Sequence, residues 1–191
     1  MTARTHDAIA FTSLFAVAVY ISPAELNLYT LFAAIIGNQI GSILPDIDQA
    51  SNRLWDFLPA GDTLGKYLRK IFYKHRTLTH SLIGVFLVYI FFGWLLPKIF
   101  NSTVIDAQIV LAAIMIGVIA HIAADSLTEQ GVPLLFPLKF KFGIPPISSW
   151  RIKTDGWFEK LIILPVIALF LVWFIDFKRD EIIKLLETVI R

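Results

Sequence analysis

The sequence predicts an all-α fold: a polytopic membrane helix bundle of about five transmembrane helices plus an interfacial helix, in a single integral membrane domain over residues 1–191. Three observations carry that expectation. Apolar residues make up 57% of the chain and charged residues 17%, against roughly 45–50% and about 25% in soluble domains. Mean hydropathy is +0.70. The apolar residues also gather into five runs near the roughly 20 residues that a helix needs to cross a bilayer.

The first run, near 8–22, closes at Ser22-Pro23. A signal peptide is the rival reading, disfavoured because Pro23 sits inside the cleavage pattern and cleavage would discard His6. The second, near 28–44, stops at Pro45-Asp46 and carries Gly37 and Gly41 four residues apart, beside Asn38, Gln39 and Ser42. Small residues at that spacing let helix backbones approach closely in lipid. The third run, near 81–97, stops at Pro97-Lys98, the fourth covers 106–124, and the fifth covers 161–176. Several lie at or below the usable minimum of about 17 residues, so some helix ends are expected inside the protein, covered by neighbours.

Two further segments are expected at the membrane surface. Leu64, Tyr67, Leu68, Ile71 and Phe72 recur at helical spacing while Lys66, Arg69, Lys70 and Lys74 mostly face elsewhere. That suits an interfacial helix on anionic headgroups, or else a solvated basic loop. The stretch 132–149 is apolar but broken by Pro133, Pro137, Gly143, Pro145 and Pro146. It cannot span, and reads as a re-entrant or interfacial loop that shapes an opening for lipid.

Five spans put the N-terminus and the loops 45–80 and 125–160 on one side, together with 12 of the 17 basic residues. The positive-inside rule makes that side cytoplasmic. The expected location is a bacterial or archaeal cytoplasmic (inner) membrane, with the C-terminus on the far side.

Composition excludes several classes. A net charge of +2 gives no ground for nucleic acid as a partner. With no cysteine, disulfides, thiolate metal sites, iron–sulfur clusters and cysteine nucleophiles are ruled out. Neither a Walker loop nor a glycine-rich dinucleotide fingerprint is present.

The titratable residues carry the chemistry. His6 precedes the first span, His75 and His80 precede the third, and His121 ends the fourth, all on the side read as cytoplasmic. Asp46 and Asp48 follow the second span in Leu44-Pro45-Asp46-Ile47-Asp48, and Asp125 stands four residues after His121, on the same helical face. Ionisable groups at membrane depth are costly and usually functional. Imidazole and carboxylate suit a divalent ion, zinc first, with manganese or iron as the other options. His80, His121 and Asp125 are the expected core ligands, with Asp46 and His75 able to hold a second ion. His6 would close the site or ligate directly. Asp48 is then free as a general base, and Arg76 is the candidate clamp for an anionic group. Thr79, Ser81 and Thr128 would orient ligands, and Glu159 is a further candidate. Plainer readings stand beside these: a solvated His6, aspartates that merely stop a span, and His75 and His80 touching headgroups. His121 resists such a reading, because it lies inside an apolar run and needs a polar partner.

These blocks resemble a known family. His6, Leu44-Pro45-Asp46-Ile47-Asp48, His75-Arg76-Thr77-Leu78-Thr79-His80-Ser81 and His121-Ile122-Ala123-Ala124-Asp125-Ser126-Leu127-Thr128, with Gly131 and Pro137 beyond, look like the YdjM-type membrane-bound metal-dependent hydrolases. The resemblance implies an inner-membrane protein with metal-dependent hydrolase activity.

From the residues themselves, a divalent ion beside Asp48 and Arg76 suits hydrolysis of a lipid or lipid-linked phosphoester, with membrane lipids as surroundings and partners. The competing class is a non-enzymatic ion-translocating or metal-handling membrane protein. A third is a structural protein whose metal only pins helix ends together.

Overall fold

The computed structural model describes residues 1–23, 26–48 and 78–190. Their helices are α1 (Ala3–Ile21), α2 (Leu28–Ile43), α3 (Leu82–Ile99), α4 (Ala107–Ser126), α5 (Leu164–Phe177) and α6 (Arg179–Ile190). Tight 3-10 turns occupy Leu44–Asp48, Leu78–His80 and Ser148–Trp150, and a π-helical turn over Glu159–Ile163 leads into α5. No strand occurs among the described residues.

Each helix begins or ends where its local chemistry allows. Asn27 caps α2 by accepting from the Thr30 amide, Ser81 caps α3 by accepting from Gly84, and Asp106 caps α4 by accepting from Gln108 and Ile109. Such side chains satisfy amide donors that the first helical turn leaves without a partner. α1 stops when Ser22 turns left-handed, with its amide returned to the Ala18 carbonyl.

Among the described residues, four stretches are long and apolar enough to cross a membrane: Leu28–Ile47, Leu82–Ile99, Ala107–Ser126 and Glu159–Phe177. α1, the expected first span, opens instead with Arg4, His6 and Asp7. Its apolar remainder of roughly 14 residues rises about 21 Å, short of the roughly 30 Å hydrocarbon core. The helix nevertheless runs the length of the bundle. Its first turn is carried inside the protein, where Thr5 and His6 are buried, while Val19 packs with Phe174 and Leu185 at the other end. α1 is thus not among the helices long and apolar enough to cross, and its first turn is covered by protein, as the sequence leads one to expect of some helix ends.

α4 is the central helix. Val110, Ile114 and Val118 from it form the buried core with Leu96 of α3 and with Val132. Its closest partner is α2, because glycines remove the side chains between them. A Cβ at Gly41 would collide with the Ile114 carbonyl, and one at Gly117 would collide with the Asn38 carbonyl and lie 2.9 Å from the Ser42 amide nitrogen. Gly37 and Gly41 therefore work as small residues at a helix–helix seam, answered from α4 by Gly117. Asn38, buried at that seam, donates to the Ala113 carbonyl.

α3 and α5 present apolar side chains outward. Phe86, Leu87, Phe91 and Trp94 on α3, and Leu169, Val172 and Trp173 on α5, are all exposed. So large an apolar surface is unfavourable in water and suits hydrocarbon.

α6 is an element the sequence reading treats only as a tail. Leu185 and Val189, with Ile182 beside them, pack onto Val19, Leu26 and Phe174, closing the end of the bundle opposite His6. The expected interfacial helix, near 64–74, and most of the loop 45–80 lie outside the described residues. The loop 125–160 is described, and it is irregular as its prolines predict. Arg151 fastens it by donating from Nε to the Pro145 carbonyl and from Nη2 to the Pro146 carbonyl. Leu138, Phe140, Trp150 and Trp157 on it are exposed, as an interfacial loop requires.

Candidate metal centre

The site is built where α2 ends, α3 begins and α4 ends. Pro45 follows α2 and tightens the chain into the Leu44–Asp48 turn, which carries Asp46. The Leu78–His80 turn carries His80. Ser81 holds that turn to α3, donating to the Leu78 carbonyl and accepting from Gly84. His121 and Asp125 lie one turn apart on α4 and share a face.

These four residues converge: one ligand atom from each of Asp46, His80, His121 and Asp125 lies within 4.8 Å of the other three. His80 Nε2 is 3.5 Å from Asp46 Oδ1 and 3.4 Å from Asp125 Oδ2. His121 Nε2 is 3.7 Å from each of the same oxygens. Around a four-coordinate ion with bonds of about 2.0–2.2 Å, neighbouring ligand atoms stand about 3.3–3.6 Å apart. The spacing therefore fits four atoms facing one shared ion. His80, His121 and Asp125 are buried, and Asp46 is partly exposed.

The orientation of the rings supports the same use. The Ser42 carbonyl faces His121 Nδ1, and a carbonyl only accepts, so Nδ1 carries the proton. In that tautomer Nε2 carries the lone pair and faces the cluster. That nitrogen is buried with no hydrogen-bond partner among the described residues. Thr79 Oγ1 lies 3.1 Å from His80 Nδ1, leaving Nε2 to face the carboxylates. Backbone and hydroxyl partners on the far ring nitrogen are the usual way a metal-ligating histidine is aimed.

Burial pulls the His80 imidazole down, but its pairing with Asp125 and Asp46 outweighs burial and raises it above its ordinary range. A proton on His80 competes with a cation for the same nitrogen. Ion affinity, read by competition with a fluorescent chelator, is expected to fall as pH drops from about 8 to about 6. Affinity that is flat over that interval would contradict this arrangement of charges.

His6 stands beside the cluster. Its ring stacks on His121 with centroids 3.7 Å apart, and its Nε2 is 3.2 Å from Asp125 Oδ1, the oxygen that does not face His80. Burial holds its imidazole down at about 4, so it is neutral at neutral pH. The Met1 amine lies 2.7 Å from the same oxygen. Asp125 thus turns one oxygen to the candidate ion site and the other to the start of α1.

Of the remaining predicted residues, His75 and Arg76 lie outside the described residues. Asp48 closes the turn after α2, and its side chain lies outside them too. Asp46, paired in the sequence reading with His75 for a second ion, joins His80, His121 and Asp125 among the described residues. Thr79 meets the ring it was expected to orient, and Thr128 donates to the Asp125 carbonyl. Ser81 acts as a helix cap. Glu159 is fully buried and accepts from the Thr2 amide and hydroxyl, the Thr5 hydroxyl and the Asp155 amide. It fastens the first turn of α1, and with it His6, to the start of the last span. Asp7, which accepts from the Ser42 hydroxyl, was not singled out. Its position one residue after His6 was the only available signal.

A family model described as YdjM inner membrane protein matches residues 1–182. The chain is similar to an uncharacterized protein, YvsG, of Bacillus subtilis (strain 168): 30% identical over 163 residues, covering 85% of this chain and 88% of that one. It is similar to the inner membrane protein YdjM of Escherichia coli (strain K12), 36% identical over 109 residues, covering 54% of this chain and 48% of that one. The inner membrane protein YdjM of Shigella flexneri matches to the same extent. The match therefore spans about half the length of the two YdjM proteins. No solved structure matches.

Proposed function

The chain belongs to the YdjM family of inner membrane proteins, and from that premise we propose that it is a metal-dependent hydrolase acting on a lipid or lipid-linked phosphoester at the cytoplasmic face. The observation that carries the reading is the convergence of Asp46, His80, His121 and Asp125 where α2 and α4 end and α3 begins. When bound, a divalent ion supplies Lewis acidity toward a phosphoryl oxygen and makes water more acidic. The chain's own residues do the rest. Asp46 and Asp125 offset the charge of the cation, while the Ser42 carbonyl and the Thr79 hydroxyl hold the two imidazoles in place. The α4 residues of the site are buried whereas Asp46 is partly exposed, so the Asp46 side is where a substrate reaches the centre.

Ion translocation is the rival, and the α2–α4 seam weighs against it. Directly beneath the site the backbones meet at Gly41 and Gly117, which leaves no room between those helices for a hydrated cation. α3 and α5 are almost wholly apolar and offer no ligands along a path.

The test is elemental analysis of the purified protein, followed by a phosphoesterase screen with defined lipid phosphates. Expected are about one equivalent of divalent ion per chain and hydrolysis that a chelator abolishes. Bound ion with cation flux into vesicles and no hydrolysis would favour translocation instead.

A further inference from the structure

Beside the metal centre lies a cavity of about 290 Å³ lined almost entirely by apolar side chains. Leu44, Pro45, Thr79, Leu87, Phe91 and Val118 all border it. Its upper rim is formed by chain neighbours of the ligands: Pro45 precedes Asp46, Thr79 precedes His80, and Val118 lies one turn before His121 on α4. Its other wall descends α3 from Gly84 to Phe92, a rise of about 12 Å. Leu87 and Phe91 on that wall are about half exposed on the outward side of a membrane-crossing helix, at 50% and 52%. One wall of the slot thus faces outward on a membrane-crossing helix, and its rim adjoins the turns that carry Asp46 and His80. We propose that it seats one acyl chain of the substrate lipid, laid along α3 so that the polar end of that lipid meets the cluster. This assignment of a substrate class rests on the hydrolase reading above.

Dimensions select the occupant. Its length of about 12 Å along α3 and its apolar lining suit a hydrocarbon chain laid lengthwise, at ordinary carbon–carbon contact of about 3.5–4.0 Å. The depth is close to one leaflet, about half of the roughly 30 Å hydrocarbon core. Among the described residues Thr79 Oγ1 is the polar side-chain atom on the lining, and it already meets His80 Nδ1. The wall therefore offers a headgroup nothing and a chain everything. Lipid tails are as apolar as leucine, so such a slot adds little affinity. Its effect is positional: a lipid held by its tail in this slot brings its ester to the ion.

The experiment is photolabelling of the full chain in vesicles of phosphatidylethanolamine and phosphatidylglycerol. The probe is a phosphatidylglycerol with a diazirine at the end of one acyl chain, and adducts are located by mass spectrometry. Expected is labelling of residues 84–92 and 118 about fivefold above that of the equally lipid-facing Leu169 and Val172 on α5. Leu87→Trp, which fills the slot from its open side, lowers the groove adducts about fivefold and leaves bound metal unchanged. Phe91→Trp, one turn further along, gives the same loss, while Leu169→Trp leaves the pattern unaltered. Groove labelling no higher than that of α5, or unchanged by both filling variants, overturns the proposal. Labelling is read without turnover, so the two readings fail separately. Enriched adducts with no phosphoester cleaved would keep the acyl slot and remove the hydrolase. Cleavage without enrichment would do the reverse.

Discussion

Asp125→Ala is expected to strip the protein of its ion while leaving it inserted in the membrane. Asp125 is the hub of the centre: Oδ2 faces both His80 and His121, and Oδ1 faces His6 and the Met1 amine. Losing a single partner that only orients a ligand typically costs about 10–100-fold in metal affinity, so losing this carboxylate should cost at least about 100-fold. Asp125→Asn keeps the shape and removes the charge, which separates loss of ligation from loss of packing. His121→Ala is expected to act in the same direction, because its Nε2 faces the cluster from the other side. Elemental analysis of the purified variants reads the result. A full complement of ion in Asp125→Asn and His121→Ala would end the ligand assignment.

Gly117→Leu is expected to be the most damaging change away from the site. The added side chain meets the Asn38 carbonyl and the Ser42 amide, which are backbone atoms and cannot rotate away. Overpacking typically costs about 1–3 kcal/mol, and the upper end applies here because α2 and α4 must separate along their length. The same separation pulls Ser42 off His121, so ion binding should fall with stability. Thermal unfolding in detergent measures the first effect. Gly93→Ala on α3 is the control, since its Cβ would meet only Leu111 Cδ2 at 3.7 Å. Equal melting points for the two variants would mean that the seam is looser than described.

Much of this was legible in the sequence because it depends on local composition. The apolar runs and the prolines that stop them, Pro45 above all, locate the spans within a few residues. Imidazoles and carboxylates at helix ends mark seven candidates, His6, Asp46, Asp48, His75, His80, His121 and Asp125, of which Asp46, His80, His121 and Asp125 meet in the structure. What was hidden depends on which distant segments touch. Nothing in the sequence around Gly117 says that it faces Asn38, and nothing near Glu159 says that it holds Thr2 and Thr5. That Asp46 turns toward His80 and His121 is decided by the path of the chain after Pro45, not by spacing. α6 could have been recognised: Ile182, Leu185 and Val189 recur at helical intervals, but a short charged tail invites neglect.

The glycine seam has a consequence for how the centre comes apart. Asp46, His121 and Asp125 all ride on the α2–α4 pair, two rods locked backbone to backbone, so three of the four ligands form a preassembled cradle. His80 arrives from a separate arm, the turn at the head of α3. Ion exchange then calls for that arm alone to swing, and a chain lacking the His80 imidazole should still catch ions in the remaining three-sided cradle, only to let them go sooner.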